Sequence, residues 1–325
     1  RSPYDAAYAA AAEAEFGISR GAIWYYTPNW FPVAATLSLP DPLSASRLWL
    51  VANAAMSLGA AALSVNAFRA LRERSIFIDA RSPIAAFLLS LPAHTLFFLF
   101  AGAFALAQAT GNTLHLGQSS MLIALGAGLI ISGAARARLT AAAAGLAIMM
   151  LKPQIGILVC AALAFTPFGR RTILAAAAIS ILAAAPALLS TAPAQLLSDF
   201  SGGVTQYTDQ YYNMPPAVTG ARHLVWLLGG ADFGSPFYLL IALAVICAFG
   251  IAARLKNART EAADYVIAAI SIAAAVSPLH IYDFTLLVAP ALFAASLRLP
   301  AGAVSLAAFA LVWRAGNLPQ PAIDI

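Results

Sequence analysis

Apolar runs punctuated by tight clusters of arginine constrain this chain more than any other feature. The runs cover 44–68, 83–108, 119–134, 139–166, 173–192, 236–253, 263–279, 284–297 and 301–313. A helix needs about 20 apolar residues to cross a bilayer, at about 1.5 Å of rise each. Runs of this kind predict membrane-spanning helices, and the charge content agrees. Only 10% of the residues are charged, where a soluble domain carries about 25%. The predicted class is an all-α polytopic membrane protein, one integral membrane domain over 1–325 with no internal repeat and no second soluble domain.

The basic residues set the topology. Arg69, Arg72, Arg74 and Arg81 form one cluster, Arg136 and Arg138 a second, and Arg170 and Arg171 a third; Arg254, Lys256 and Arg259 follow, then Arg298. The positive-inside rule places all five on the cytoplasmic side. The connections left for the other side are 1–30, about 109–119, 193–235 and 278–283. They hold few bases, many aromatics and the acids Asp5, Glu13, Glu15, Asp199, Asp209, Asp232 and Asp283. Each run then changes side in turn. Residues 1–43 form the first outer loop, in which "SPYDAAYAAAAEAEF" (2–16) reads as an amphipathic helix on the membrane surface, with Ser2 as its cap and Pro3 at its start. The sequence opens at Arg1 without a methionine, and a further transmembrane helix is expected before it. Cys160 and Cys247 fall inside apolar runs and read as packing residues.

One run departs from the alternation. "AGLAIMMLKPQIGILVCAALAF", residues 144–165, carries Lys152 and Pro153 at its centre. Its segment begins and ends among cytoplasmic arginines, yet 139–169 is too short for two full spans. The predicted form is a broken helical hairpin over 139–166, with helices at 139–151 and 154–166 that meet at "KPQ". Proline lacks an N–H and disfavours helix at the residue before it, so the break falls at Lys152. A charge at the bilayer centre costs about 2.5–3.5 kcal/mol on insertion scales. Irregular backbone at that depth survives only where protein or a water-filled cavity surrounds it. Lys152 is therefore expected to face a polar cavity open to the outside; snorkelling is the alternative, over a long distance.

The remaining polar residues of the outer side are few. Asp5 stands in the first turn of the surface helix, where it either complements the helix dipole or serves the site. In "HLGQSS" (115–120) Gln118 points from a helix start into the cavity, or the stretch is a loop with a capping serine. "SPLHIYDF" (277–284) gathers His280, Tyr282 and Asp283 at an outer helix break, as a functional cluster or as a loop anchor. "TQYTDQYYNMPP" (205–216) and "ARHLVW" (221–226) suit sugar stacking or a lipid head group, and equally an interfacial aromatic belt. The four histidines lack partners at metal-ligand spacing. No phosphate-cradling glycine loop and no nucleophile elbow is present. The cytoplasmic loops are too short for nucleotide chemistry, and nothing points to a nucleic acid.

Taken in order, three blocks resemble glycosyltransferase family 87. "GQSSMLIALGAGLIISGAARARLTAAAAGLAIMMLKPQIGILVCAALAF" (117–165) is similar to the family's core block, with GQ at an outer helix start, an arginine turn and KPQ. "SPLHIYDFTLLVAPAL" (277–292) resembles its later SP…YD…P block. "YDAAYAAAAEAEFG" followed by "YYTPNWFPVAATLSLPDPLSASRLWL" is similar to its first outer loop. The sequence departs from the family pattern at Ser119 and Ser120, where asparagine is common, and at "YYTPNW", which replaces a YPP-like segment.

The resemblance implies a GT-C-type bundle of about 9–10 transmembrane or re-entrant helices around an outward-facing cavity. It also implies an enzyme of the bacterial inner membrane related to the mycobacterial polyprenyl-phosphate-mannose-dependent mannosyltransferases. Such enzymes pass a sugar, with inversion, from a polyprenyl monophosphate donor at the extracytoplasmic face to the hydroxyl of a glycolipid or glycan acceptor. The implied roles are Asp5 as general base and Lys152 as the cation on the leaving phosphate. Arg222 and His223 become further phosphate or acceptor contacts, and Gln118, Gln154, His280, Tyr282 and Asp283 become sugar or acceptor contacts. The implied chemistry needs neither metal nor cofactor. The rival reading is a lipid or small-solute transporter or flippase, which would bind near the midplane and show paired repeats.

Overall fold

The computed structural model describes residues 14, 27–71, 83–116, 118–208, 213–215, 218–230, 232–255 and 261–287. Among these the chain is helical, with no strand. After a 3₁₀ turn at Pro28–Trp30 come α1 (Phe31–Leu37), α2 (Pro42–Leu71), α3 (Pro83–Ser90), α4 (Ala93–Leu106) and α5 (Gln108–Leu116). The middle of the chain forms α6 (Ser120–Ala135), α7 (Leu139–Met149), α8 (Pro153–Leu163) and α9 (Pro167–Ser190). Then follow α10 (Pro193–Thr208), α11 (Ala221–Leu227), α12 (Ser235–Leu255), α13 (Ala262–Val276) and a 3₁₀ helix at Ile281–Leu287.

Among the described residues three helices, α2, α9 and α12, are long and apolar enough to cross a membrane, with mean hydropathy of 1.7, 2.2 and 2.4. With the shorter apolar helices α6, α7, α8 and α13 they make an all-α polytopic membrane protein. The run expected as one span over 83–108 is interrupted. Pro92 ends α3 before α4, and extended backbone at Ala107 turns α5 by 60° from α4. The stretch expected as a long loop, 193–235, carries α10 and α11. The surface helix expected at 2–16 and the runs at 284–297 and 301–313 lie largely or wholly outside the described residues.

Helix α6 is the axis of the bundle, buried along nearly its whole length against α2, α7 and α13. Lipid tails are as apolar as leucine, so helices in a membrane associate by close packing rather than by the hydrophobic effect. Glycine makes that approach possible here. A Cβ on Gly145 of α7 would stand 2.5 Å from the Ile130 nitrogen, and one on Gly133 of α6 would stand 2.5 Å from the Ala142 nitrogen. Asn66 of α2 adds a polar contact, its Nδ2 donating to Ser132 Oγ at 2.9 Å.

The α6–α7 turn is tight. Arg138 N–H donates to the Gly133 carbonyl and Ala137 N–H to the Ala134 carbonyl, the paired bonds of a Schellman motif. Its left-handed position is held by Ala137, at φ 54°, where glycine is usual. The chain then climbs α7 and breaks at Lys152, with Pro153 opening α8. Gly156 lets α8 fold back, because a Cβ there would meet Met150 Sδ at 2.7 Å and Met150 Cα at 2.8 Å. Eleven residues of α7 raise Lys152 by about 16 Å from the arginine turn, at about 1.5 Å each.

Candidate active site

The break leaves carbonyls at the end of α7 without helical partners, a cost that must be met locally where the break is buried. The first loop meets it. Trp30 Nε1 donates to the Leu151 carbonyl at 3.2 Å, Asn29 Nδ2 to Ala147 at 3.4 Å and Thr27 Oγ1 to Met150 at 3.5 Å. Trp30 is buried and packs edge-on against Trp49 of α2 at 6.5 Å. The "TPNW" segment thus caps the broken helix with side-chain donors and pins the first loop beside Lys152.

Lys152 is buried, and its ammonium meets three groups from distant parts of the chain. It forms an ion pair with Asp283 Oδ1. It donates to Ser120 Oγ at 3.1 Å, and that hydroxyl donates in turn to Asp283 Oδ1 at 2.8 Å. It also lies 5.0 Å from the centre of the Tyr282 ring, a cation–π distance. Asp283 is placed by its 3₁₀ helix, and His280 N–H donates to Oδ2 at 3.3 Å. Two threonines fix that helix against the bundle: Thr113 Oγ1 donates to the Tyr282 carbonyl and Thr285 Oγ1 to the Ser120 carbonyl, each at 3.3 Å.

The cluster extends outward from Tyr282. His280 stacks on the Tyr282 ring at 5.0 Å, and its Nε2 donates to Asn213 Oδ1 at 2.9 Å. The Asn213 carbonyl accepts from Arg222 Nη1 at 2.9 Å. Arg222 is buried and satisfied within the protein: Nε and Nη2 form a two-pronged pair with Asp232 at 2.9 and 2.6 Å, and Nη1 reaches Ser235 Oγ at 2.8 Å. That guanidinium holds the Asp232 carboxyl below its usual range. His223 gives Nδ1–H to the Val218 carbonyl at 2.8 Å and packs edge-on against Trp226. Thr219 closes the network by donating to the Leu279 carbonyl through both its N–H and its hydroxyl.

Of the residues singled out in the sequence, the structure brings Lys152, His280, Tyr282 and Asp283 into one cluster. Arg222 joins it through Asn213. Gln118 stands half-buried two residues before Ser120, and Gln154 half-buried in the first turn of α8. Asp5 lies outside the described residues. Ser120, Trp30 and Asn213 enter only with the structure, because their partners Asp283, Leu151 and His280 are remote in sequence, and Asp232 enters as the partner of Arg222. The hint available was chemical: polar side chains beside a helix break must bond to something. Among the described residues, no three His, Cys, Asp or Glu side chains are grouped to hold a metal ion.

The cluster offers one buried cation at a helix break, with an ammonium proton left over after Ser120 and Asp283 and an aromatic wall beside it. Such a site stabilises negative charge in a low dielectric. A family model for glycosyltransferase family 87 matches residues 24–290, which include every residue of the cluster. Neither a curated protein nor a solved structure matches the chain.

Proposed function

The chain belongs to glycosyltransferase family 87, and from that membership we propose that it moves a sugar from a polyprenyl monophosphate to an acceptor hydroxyl at the extracytoplasmic face of a bacterial inner membrane. The acceptor is a glycolipid or glycan, and the bundle is of GT-C type. The acceptor oxygen attacks the anomeric carbon from the face opposite the phosphate. Its proton passes to a carboxylate, and the bond from the anomeric carbon to the phosphate oxygen breaks with its electron pair on that oxygen. The product is inverted, and phosphate leaves without needing a general acid.

The buried ammonium of Lys152 carries this reading. An ammonium has three protons; Ser120 and Asp283 take two, and the third is available to the leaving phosphate. Asp283 and Ser120 hold the cation in place when no donor is bound. Asp5 is the general base, delivered by the first loop whose far end is docked on the helix break through Trp30. Tyr282 and His280 form the wall for the sugar, and Gln118 and Gln154 reach its hydroxyls. His223 keeps Nε2 for a phosphate or acceptor contact. Arg222 serves through Asn213, which it holds against His280.

The cytoplasmic placement of the arginine turns supports the orientation, because α7 lifts Lys152 about halfway or more through a hydrocarbon layer about 30 Å thick. The test uses the full protein in lipid nanodiscs with radiolabelled polyprenyl-phosphate sugars and a membrane glycolipid extract. Transfer from one donor is expected, and both Asp5→Asn and Lys152→Ala should abolish it while inserting normally. Full transfer by Lys152→Ala would sink the assignment. Movement of the lipid phosphate across the bilayer without transfer would indicate a flippase instead.

A further inference from the structure

At the end of the bundle opposite Lys152, a cavity of about 470 Å³ opens between the end of α2 and the α6–α7 turn. It is lined by Arg69, Ala70, Ala135, Arg136, Ala137 and Arg138. Three arginines border this one hollow. Between Arg136 and Arg138, Ala137 adopts a left-handed conformation that costs an L-residue energy. Arg69 is steered by a single bond from Nη2 to the Leu91 carbonyl at 2.9 Å, which leaves its other protons uncommitted. Among the described residues none of the three arginines has an ion-pair partner. Glu261 lines the adjoining cavity that Ala137 also borders. Its carboxylate is occupied as the cap of α13, accepting a backbone N–H there.

A second observation points to the kind of anion. Val51, Leu58, Ala62 and Arg69 are all exposed and recur at intervals of seven, four and seven along α2. At 3.6 residues per turn that spacing makes one face of the helix. An apolar stripe about 27 Å long therefore leads away from the arginine hollow, at about 1.5 Å per residue. A soluble phosphate would use the hollow and ignore the stripe. A phospholipid uses both.

We propose that this cavity binds the phosphate of an anionic phospholipid, with an acyl chain laid along the Val51–Leu58–Ala62 face of α2. The site is separate from the Lys152 cluster and independent of the transfer reaction. Basic hollows between transmembrane helices on the cytoplasmic side are suited to such head groups, each arginine adding about a fivefold gain in affinity. The arginines bind as charges at the membrane surface, so lysine in their place retains most of the effect.

The test is native mass spectrometry of the full chain in detergent, titrated with phosphatidylglycerol, phosphatidylcholine or soluble glycerol phosphate. Phosphatidylglycerol is expected to stay bound in preference to phosphatidylcholine. Arg136→Gln/Arg138→Gln should weaken it roughly thirtyfold, and Arg136→Lys/Arg138→Lys should retain it. Equal retention of phosphatidylglycerol by the glutamine variant would overturn the proposal. So would equal retention of the two lipids, or glycerol phosphate binding as tightly as the lipid.

Discussion

Lys152 and Asp283 stand 131 residues apart in sequence and form one ion pair at the break between α7 and α8, 8% and 2% exposed. A buried pair is weak support for stability, but removal of one partner leaves a charge uncompensated, which costs about 3–5 kcal/mol. Lys152→Met and Asp283→Asn should each lower thermal stability markedly. The double variant should lose much less than the two losses summed, as a double-mutant cycle in nanodiscs would read. Additive losses would mean that the two side chains do not depend on each other in the membrane.

The α6–α7 turn predicts a gain rather than a loss. Ala137 sits at φ 54° in the position of a Schellman turn that glycine fills without strain. Ala137→Gly should raise stability by about 1 kcal/mol, the lower end of the left-handed penalty for an L-residue. The measurement is the midpoint of thermal unfolding, and an unchanged or lower midpoint would show that the turn is not strained.

That turn and the hairpin above it show what the sequence made readable. Pro153 and the arginines on both sides define the broken helix by local chemistry alone, so the break at Lys152 follows from steric rules and segment length. The bend at Ala107 has no such mark: an alanine in an apolar run gives no local signal that its backbone is extended. Ser120 and Trp30 were equally silent. Their partners are 163 and 121 residues away, and a contact between remote segments leaves no periodicity in either. His280, Tyr282 and Asp283 were visible as polar groups between apolar runs, but only the fold turns them toward Lys152. The family resemblance implies a phosphate or acceptor contact for Arg222, and in the structure Asp232, Asn213 and Ser235 engage its guanidinium.

The Arg222–Asp232 pair should make its segment sensitive to acid. The Asp232 carboxyl is held below its ordinary value by Arg222, so the folded state binds its proton less readily than the unfolded state does. A depressed pKa contributes stability above the unfolded value and loses it as the pH falls through the folded value. Protection of residues 218–235 should therefore be complete at neutral pH and fade only below the ordinary aspartate range. Limited pepsin digestion between pH 5 and pH 2 would follow it, read as the ratio of Asp232→Asn to wild-type cleavage at each pH so that the protease's own pH dependence cancels. The variant should be cut faster than wild type at pH 5 and the ratio should fall toward one as the pH drops; a ratio that does not change with pH would assign the transition to another group.

Trp30 offers the sharpest link between the first loop and the cation. Its indole N–H donates to the Leu151 carbonyl, immediately before Lys152, in a setting where water is scarce. Trp30→Phe keeps most of the ring and removes the donor, leaving that carbonyl unpaired at a cost of about 1–3 kcal/mol. If the bond also fixes Lys152 for the leaving phosphate, sugar transfer should fall in kcat more than KM for the donor rises, because the lost interaction matters most as charge develops. Trp49→Leu provides the comparison: it removes the aromatic partner of Trp30 but spares the hydrogen bond. It should lower stability while leaving kcat per folded molecule near wild type. Equal kcat losses in the two variants, after correction for folded fraction, would reduce Trp30 to a packing residue and separate the first loop from the chemistry at Lys152.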